Sequence, residues 1–177
     1  MRGYFAIGVE GLSKPMNAGN LFRTAHAFGA SFVFTINATY SVRTARSDTS
    51  AAPKNIPWYD HDSLDDFTLP EGCRLVGIEL LDEATDLPSF RHPTNAAYVL
   101  GAERSSLSPA LTKRCDHVVR IPTSFCVNVA TAGAIVMYDR LISMGRFAER
   151  PIGTMASPEE RPEHVHGGPI FRKSGEQ

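Results

Sequence analysis

The amino-acid sequence predicts an α/β domain, a mostly parallel sheet with helices on both faces. Three observations carry that reading. Five short apolar runs rich in β-branched and aromatic residues have the length of buried strands, at 4–9 (YFAIGV), 32–36 (FVFTI), 75–78 (LVGI), 97–100 (AYVL) and 118–121 (VVRI). Helical periodicity lies between the first two runs and returns after the last. Strands that alternate with helices pair in parallel and are covered on both faces, so their sequences stay apolar throughout.

Taken in chain order, the first helix is expected over 17–28, where Leu21, Ala25 and Phe28 share a face and Gly29 follows as a C-terminal stop. With its flanking runs it makes a βαβ unit. A short helix is expected over 62–67 behind an Asp/Ser cap, and another over 108–115 with Ser108 as cap and Pro109 in the first turn. The longest candidate spans 128–144, with Val129, Ala132, Val136, Tyr138 and Leu141 lining apolar surface and Gly145 ending the pattern. Beyond it, Pro151, Pro158, Pro162, Gly167, Gly168 and Pro169 mark a composition that buries little. The chain is therefore divided into a domain over 1–145 and a polar extension over 146–177, and no internal repeat is found.

The 177 residues, 42% hydrophobic and 21% charged, suit one core better than two. No stretch reaches the roughly 20 apolar residues of a membrane crossing, and the start leads directly into a strand-like run, so a soluble cytoplasmic protein is expected. Cys73, Cys115 and Cys126 have neither the even count of a disulfide framework nor the spacing of a zinc site; reduced thiols and no metal are expected. A net charge of −1 does not announce a nucleic-acid binder. Charge is uneven, however. Lys14, Arg23, Arg43, Arg46 and Lys54 precede Asp60, Asp62, Asp65, Asp66 and Glu71, which leaves room for a local basic face.

Three constellations sit where strands run into helices, the place where open α/β sheets bind ligands. The first places Asn17 and Arg23 at the first helix; a plain reading makes Asn17 a helix cap and Arg23 a solvated surface residue. The second, Gly101 to Ser108, places Gly101 for close backbone approach and Glu103 at the strand's carboxyl end, or is an ordinary connecting loop. In the third, Ile121-Pro122 leads through Cys126 to Asn128 and Val129 at the mouth of the long helix, where Asn128 is also a natural cap. GxGxxG after the first strand, GxxxxGK[ST] and GxSxG are all missing, which disfavours classical dinucleotide, triphosphate and serine-hydrolase chemistry. His164 and His166 form an isolated HxH, read as a solvated pair.

In this order and spacing the three constellations resemble the motifs of the SpoU/TrmH branch of the SPOUT RNA methyltransferases, from residue 4 to about 144. The matching residues are Asn17, Arg23, Thr24 and Ala25; Gly101, Glu103 and Leu107; and Ile121, Pro122, Asn128 and Val129. Two departures stand out: Cys126 occupies the place of the family's usual serine, and Arg104-Ser105-Ser106 lacks its second glycine.

The resemblance implies a C-terminal trefoil knot, a homodimer with shared sites, and S-adenosyl-L-methionine as methyl donor to a ribose 2′-hydroxyl of tRNA or rRNA. It gives Arg23 the activation of the 2′-oxygen, Asn17 and Glu103 the positioning of Arg23 or the ribose, and Asn128 the holding of loop or substrate. The groups around Ile78, Glu79, Leu100, Gly101, Ile121, Cys126 and Val129 would hold the cofactor's adenine and ribose. The competing readings are an RNA-binding or assembly module that kept the fold without activity, and a small-molecule enzyme on a flavodoxin-like sheet.

Overall fold

The computed structural model describes residues 3–12, 15–38, 55–102, 106–145 and 147. Strands β1 (Phe5–Glu10), β2 (Phe32–Ile36), β3 (Trp58–His61), β4 (Arg74–Ile78), β5 (Thr85–Asp86), β6 (Ala96–Gly101) and β7 (His117–Arg120) form one sheet in the order β3-β2-β1-β6-β4-β7-β5. Every pairing is parallel. The central strands are apolar without alternation because both their faces are covered: all six residues of β1 and the first five of β6 are buried. The sheet and its helices belong to the unit Met1–Arg146; of the expected extension over 146–177, with its HxH, Phe147 alone lies within the described residues.

Helices α1 (Pro15–Ala27) and α3 (Val129–Met144) pack together on one face, where Leu21, Phe22, Val136 and Met137 join Ile7, Val9 and Tyr98. A Cβ at Gly133 would run into Leu21 and press on Ile7, so the close seating of α3 depends on that glycine. Leu107, ahead of α2 (Pro109–Arg114), and Leu111 within it cover the other face with Phe67 over Phe34, Leu75 and Val99. α1 ends as its glycine requires. Gly29 has φ +74°, its N–H reaches the His26 carbonyl at 3.0 Å, and the Ala30 N–H reaches that of Ala25 at 2.9 Å.

One expectation needs correction. Residues 62–67 form bends instead of a helix: the Ser63 hydroxyl donates to Asp66 and the Phe67 N–H to the Leu64 carbonyl, a local turn that satisfies the chain before a second helical turn begins. Of the residues expected to line apolar surface on the long helix, Val129, Ala132 and Val136 are buried and Tyr138 is 50% exposed, while Met137 and Arg140 take the inner face of α3. β3 and β5 were absent from the sequence reading. Lys14, Arg43, Arg46 and Lys54, the bulk of the expected basic face, lie outside the described residues.

At the amino ends of β1 and β6, the buried Arg140 fastens α3 to the sheet. Its guanidinium donates to the carbonyls of Pro93 (2.7 Å), Thr94 (2.8 Å) and Tyr4 (3.2 Å) and to the Tyr98 hydroxyl (3.1 Å). His92 lies beside it, Nδ1 2.6 Å from the Tyr98 hydroxyl and Nε2 2.9 Å from Asp139. At the opposite, carboxyl end, residues 79–84 arch from β4 to β5 over the end of β7, which lies between them. Arg120 pins this arch, donating to the Leu81 and Asp82 carbonyls at 3.3 Å and to Asp86 at 2.6 Å. No described helix is long and apolar enough to cross a membrane.

Candidate active site

The carboxyl ends of β4, β6 and β7 and the start of α3 surround a pocket of about 380 Å³. Ile78 and Glu79 enter it from β4, Leu100 and Gly101 from β6, Ile121 from the end of β7, and Cys126 and Val129 from the loop and helix that follow. All seven residues named for the cofactor thus line one cavity, with Ala102, Ser106, Thr123, Val127 and Ala132 among their neighbours. The size falls in the range of small-molecule sites, which run from about 300 Å³ upward. Its wall is mostly aliphatic, and among the described lining residues Glu79 carries the one charged side chain.

Glu79 is fixed by backbone donors, accepting the Leu80 N–H at 3.0 Å and the Leu107 N–H at 2.8 Å. Thr123 shapes the loop after β7: its N–H reaches the Ile121 carbonyl at 2.7 Å and its hydroxyl donates to the Phe125 carbonyl at 2.9 Å. That turn leaves Phe125 76% exposed beside the pocket, and the Cys126 thiol is exposed as well. The two other cysteines are half-buried; burial pushes the Cys115 thiol up to about 11, so it stays protonated and unreactive at neutral pH.

Of the four residues assigned to chemistry, two meet. Asn128 caps α3, its Oδ1 accepting the Ala130 N–H at 2.9 Å, and its Nδ2 donates to Oδ1 of Asn17 at 3.2 Å. Asn17 is therefore not the cap of α1, which begins at Pro15; it sits inside the first turn and ties α1 to the mouth of α3. Arg23 lies further along α1 and is exposed. Six residues of helix amount to about 9 Å of rise and about 240° of rotation, so it occupies a different face from Asn17, and it does not line the pocket. Glu103 falls outside the described residues.

Sequence reasoning missed Glu10. This buried carboxylate ends β1 and accepts both the N–H and the hydroxyl of Ser108, at 2.7 and 2.6 Å. The signal was present: an acidic residue at the carboxyl end of an otherwise non-polar strand. No group of three or more metal-binding side chains occurs among the described residues.

Residues 4–138 match the sequence model of the SpoU rRNA Methylase family. The chain is 27% identical over 138 residues to a tRNA (guanosine(18)-2′-O)-methyltransferase of Mus musculus, which covers 72% of this chain and 9% of that one. It is 27% identical over 140 residues to a putative TrmH family tRNA/rRNA methyltransferase of Staphylococcus aureus, covering 74% and 56%. Among solved structures, the AdoMet-bound rRNA methyltransferase of Sinorhizobium meliloti superposes with a TM-score of 0.73 at 21% identity, covering 82% of this chain and 59% of that one. The chain thus spans about half the length of the bacterial relative, and far less of the mouse one.

Proposed function

Because the chain belongs to the SpoU rRNA methylase family, we propose that it methylates a ribose 2′-hydroxyl of tRNA or rRNA with S-adenosyl-L-methionine, as a homodimer. The observation that carries the reading is the pocket at the carboxyl ends of β4, β6 and β7. Its aliphatic wall suits an adenine ring, and the carboxylate of Glu79 suits ribose hydroxyls or a cationic sulfonium. Bound there, the cofactor supplies an electrophilic methyl carbon; the 2′-oxygen forms the new C–O bond, sulfur keeps the electron pair of the broken C–S bond, and the hydroxyl proton leaves to solvent or a base.

The chain's own contribution is orientation and charge. A guanidinium keeps its charge at neutral pH, so Arg23 donates to the developing alkoxide and does not take its proton. Arg23 stands away from the pocket of its own subunit, and the reading therefore assigns it to the pocket of a second copy. The exposed apolar residues Tyr138 and Ile142, one turn apart on α3, and Met16 on α1 supply surface for that copy. The Asn17–Asn128 hydrogen bond holds the mouth of α3 against α1. The same reading includes passage of the chain after β7 beneath the 79–84 arch as a trefoil knot, which the placement of β7 between β4 and β5 supports.

The test is transfer of labelled methyl groups to RNA from a strain lacking the protein, followed by mapping of 2′-O-methyl positions. Label at discrete riboses is the expected result. RNA binding without any transfer would favour the inactive assembly module instead.

A further inference from the structure

Glu10 is 9% exposed, and both its carboxylate oxygens are committed to Ser108. One residue earlier, the Leu107 N–H is taken by Glu79. Consecutive amides of one segment are therefore held by carboxylates from the ends of two strands, β1 and β4, which do not pair with each other: β6 runs between them. β6 opens the connection that this segment closes. Gly101 and Ala102 at its start and Ser106 at its end all line the pocket.

Capping α2 does not account for this arrangement. The Ser108 hydroxyl already accepts the Leu111 N–H at 3.1 Å, which satisfies the helix start without Glu10. A buried carboxylate is costly unless its lone pairs are occupied, and here they are occupied by one residue's backbone and side chain together. What Glu10 adds is a fixed position for Ser108, and hence for Ser106 two residues before it.

We infer that Glu10 is a positioning residue of the cofactor pocket: through Ser108 it sets where the Ser106 wall stands, and thereby the affinity for an adenosyl ligand. The inference rests on the methyltransferase reading but is decided separately from it. The probe is S-adenosylhomocysteine, measured by calorimetry on the full chain at a temperature where melting curves show each variant folded. E10L should weaken binding about tenfold or more, since it strands two donors that fix the wall. E10Q should stay within about threefold of wild type, because its oxygen can accept the Ser108 N–H while its amide donates to the hydroxyl turned round.

A merely structural role would lower the melting temperature of E10L and leave the affinity of the folded protein unmoved; that result overturns the inference while the methyltransferase reading stands. Failure of wild type to bind the probe overturns both. Should E10L not fold, S108A and S108T decide: about threefold or greater weakening in S108A with recovery in S108T is expected, and equal affinities overturn the inference.

Discussion

Replacing Arg140 by Met tests the latch at the amino ends of the strands. Arg140 is 1% exposed, and its two terminal nitrogens satisfy three main-chain carbonyls and the Tyr98 hydroxyl. Met keeps most of the side chain's packing over the Phe5 and Tyr98 rings and removes every donor. Exchange of a buried ion pair for apolar groups can be neutral, because both charges vanish together. Here the partners are backbone carbonyls, which no substitution removes. Each stranded acceptor costs about 1–3 kcal/mol, and relief of the buried guanidinium returns part, leaving a net loss of about 3–5 kcal/mol. For a domain of this size that lowers Tm by roughly 10 °C. Urea unfolding followed by the fluorescence of Trp58, the chain's single tryptophan, reads the difference. The pocket lies at the other end of the strands, so cofactor affinity well below the transition should stay within about threefold. A loss under about 1 kcal/mol would refute the latch.

Three further outcomes are expected. Arg23→Ala should lower kcat about 100-fold or more with cofactor affinity unchanged, and Arg23→Lys should recover only part; wild-type single-turnover rates in Arg23→Ala would remove it from the chemistry. Burial lowers the pKa of His92 against the opposing pull of Asp139, and burial also pushes the Tyr98 hydroxyl up to about 12, so Tyr98 donates to a neutral His92 while accepting from Arg140. Below the unfolded value of 6.5, the unfolded chain takes up a proton that the folded chain refuses, so stability should fall as pH drops from 6.5 toward the lowered folded pKa. The stability gap between wild type and His92→Gln should narrow over that window, and a gap constant from pH 7.5 to 5 would remove His92 as its cause. Finally, Tyr138→Asp with Ile142→Asp should convert a dimer to a monomer in light scattering, with loss of methyl transfer; a wild-type monomer with full activity would end the shared-site reading.

β1, β2, β4 and β6 were legible because they are covered on both faces and so read as nearly continuous apolar runs; β7, with one buried residue in four, showed through Val118 and Val119. β3 and β5 were not: Trp58–His61 is half-exposed and carries Asp60 and His61, and Thr85–Asp86 is two residues long, too short for any period to show. On α3 the reading followed hydrophobicity, grouping Tyr138 with the apolar positions and passing over Arg140. Helical rotation instead continues Ala132, Val136 through Arg140, a charge that hydropathy assigns to solvent and that becomes tolerable only when the carbonyls of Tyr4, Pro93 and Thr94 converge on it. Within the site, motif order brought distant residues to one pocket. Glu10 stayed hidden because its partner Ser108 lies 98 positions away, a pairing that only the parallel neighbourhood of β1 and β6 creates.

The place of β7 in the sheet also dictates a history for the molecule. Among the described strands Thr85–Asp86 pairs with β7 alone, so this early-made piece waits for residues 117–120 to leave the ribosome. Pairing across such a separation is slow, since the intervening chain must close before any contact rewards it. The walls contributed by Ile121, Cys126 and Val129 arrive later still. A nascent chain stopped after β6 would hold the sheet's centre and no pocket. Ligand capture would therefore report completed synthesis and assembly in one event, and a bound adenosyl group would favour finished molecules over partly assembled ones by mass action.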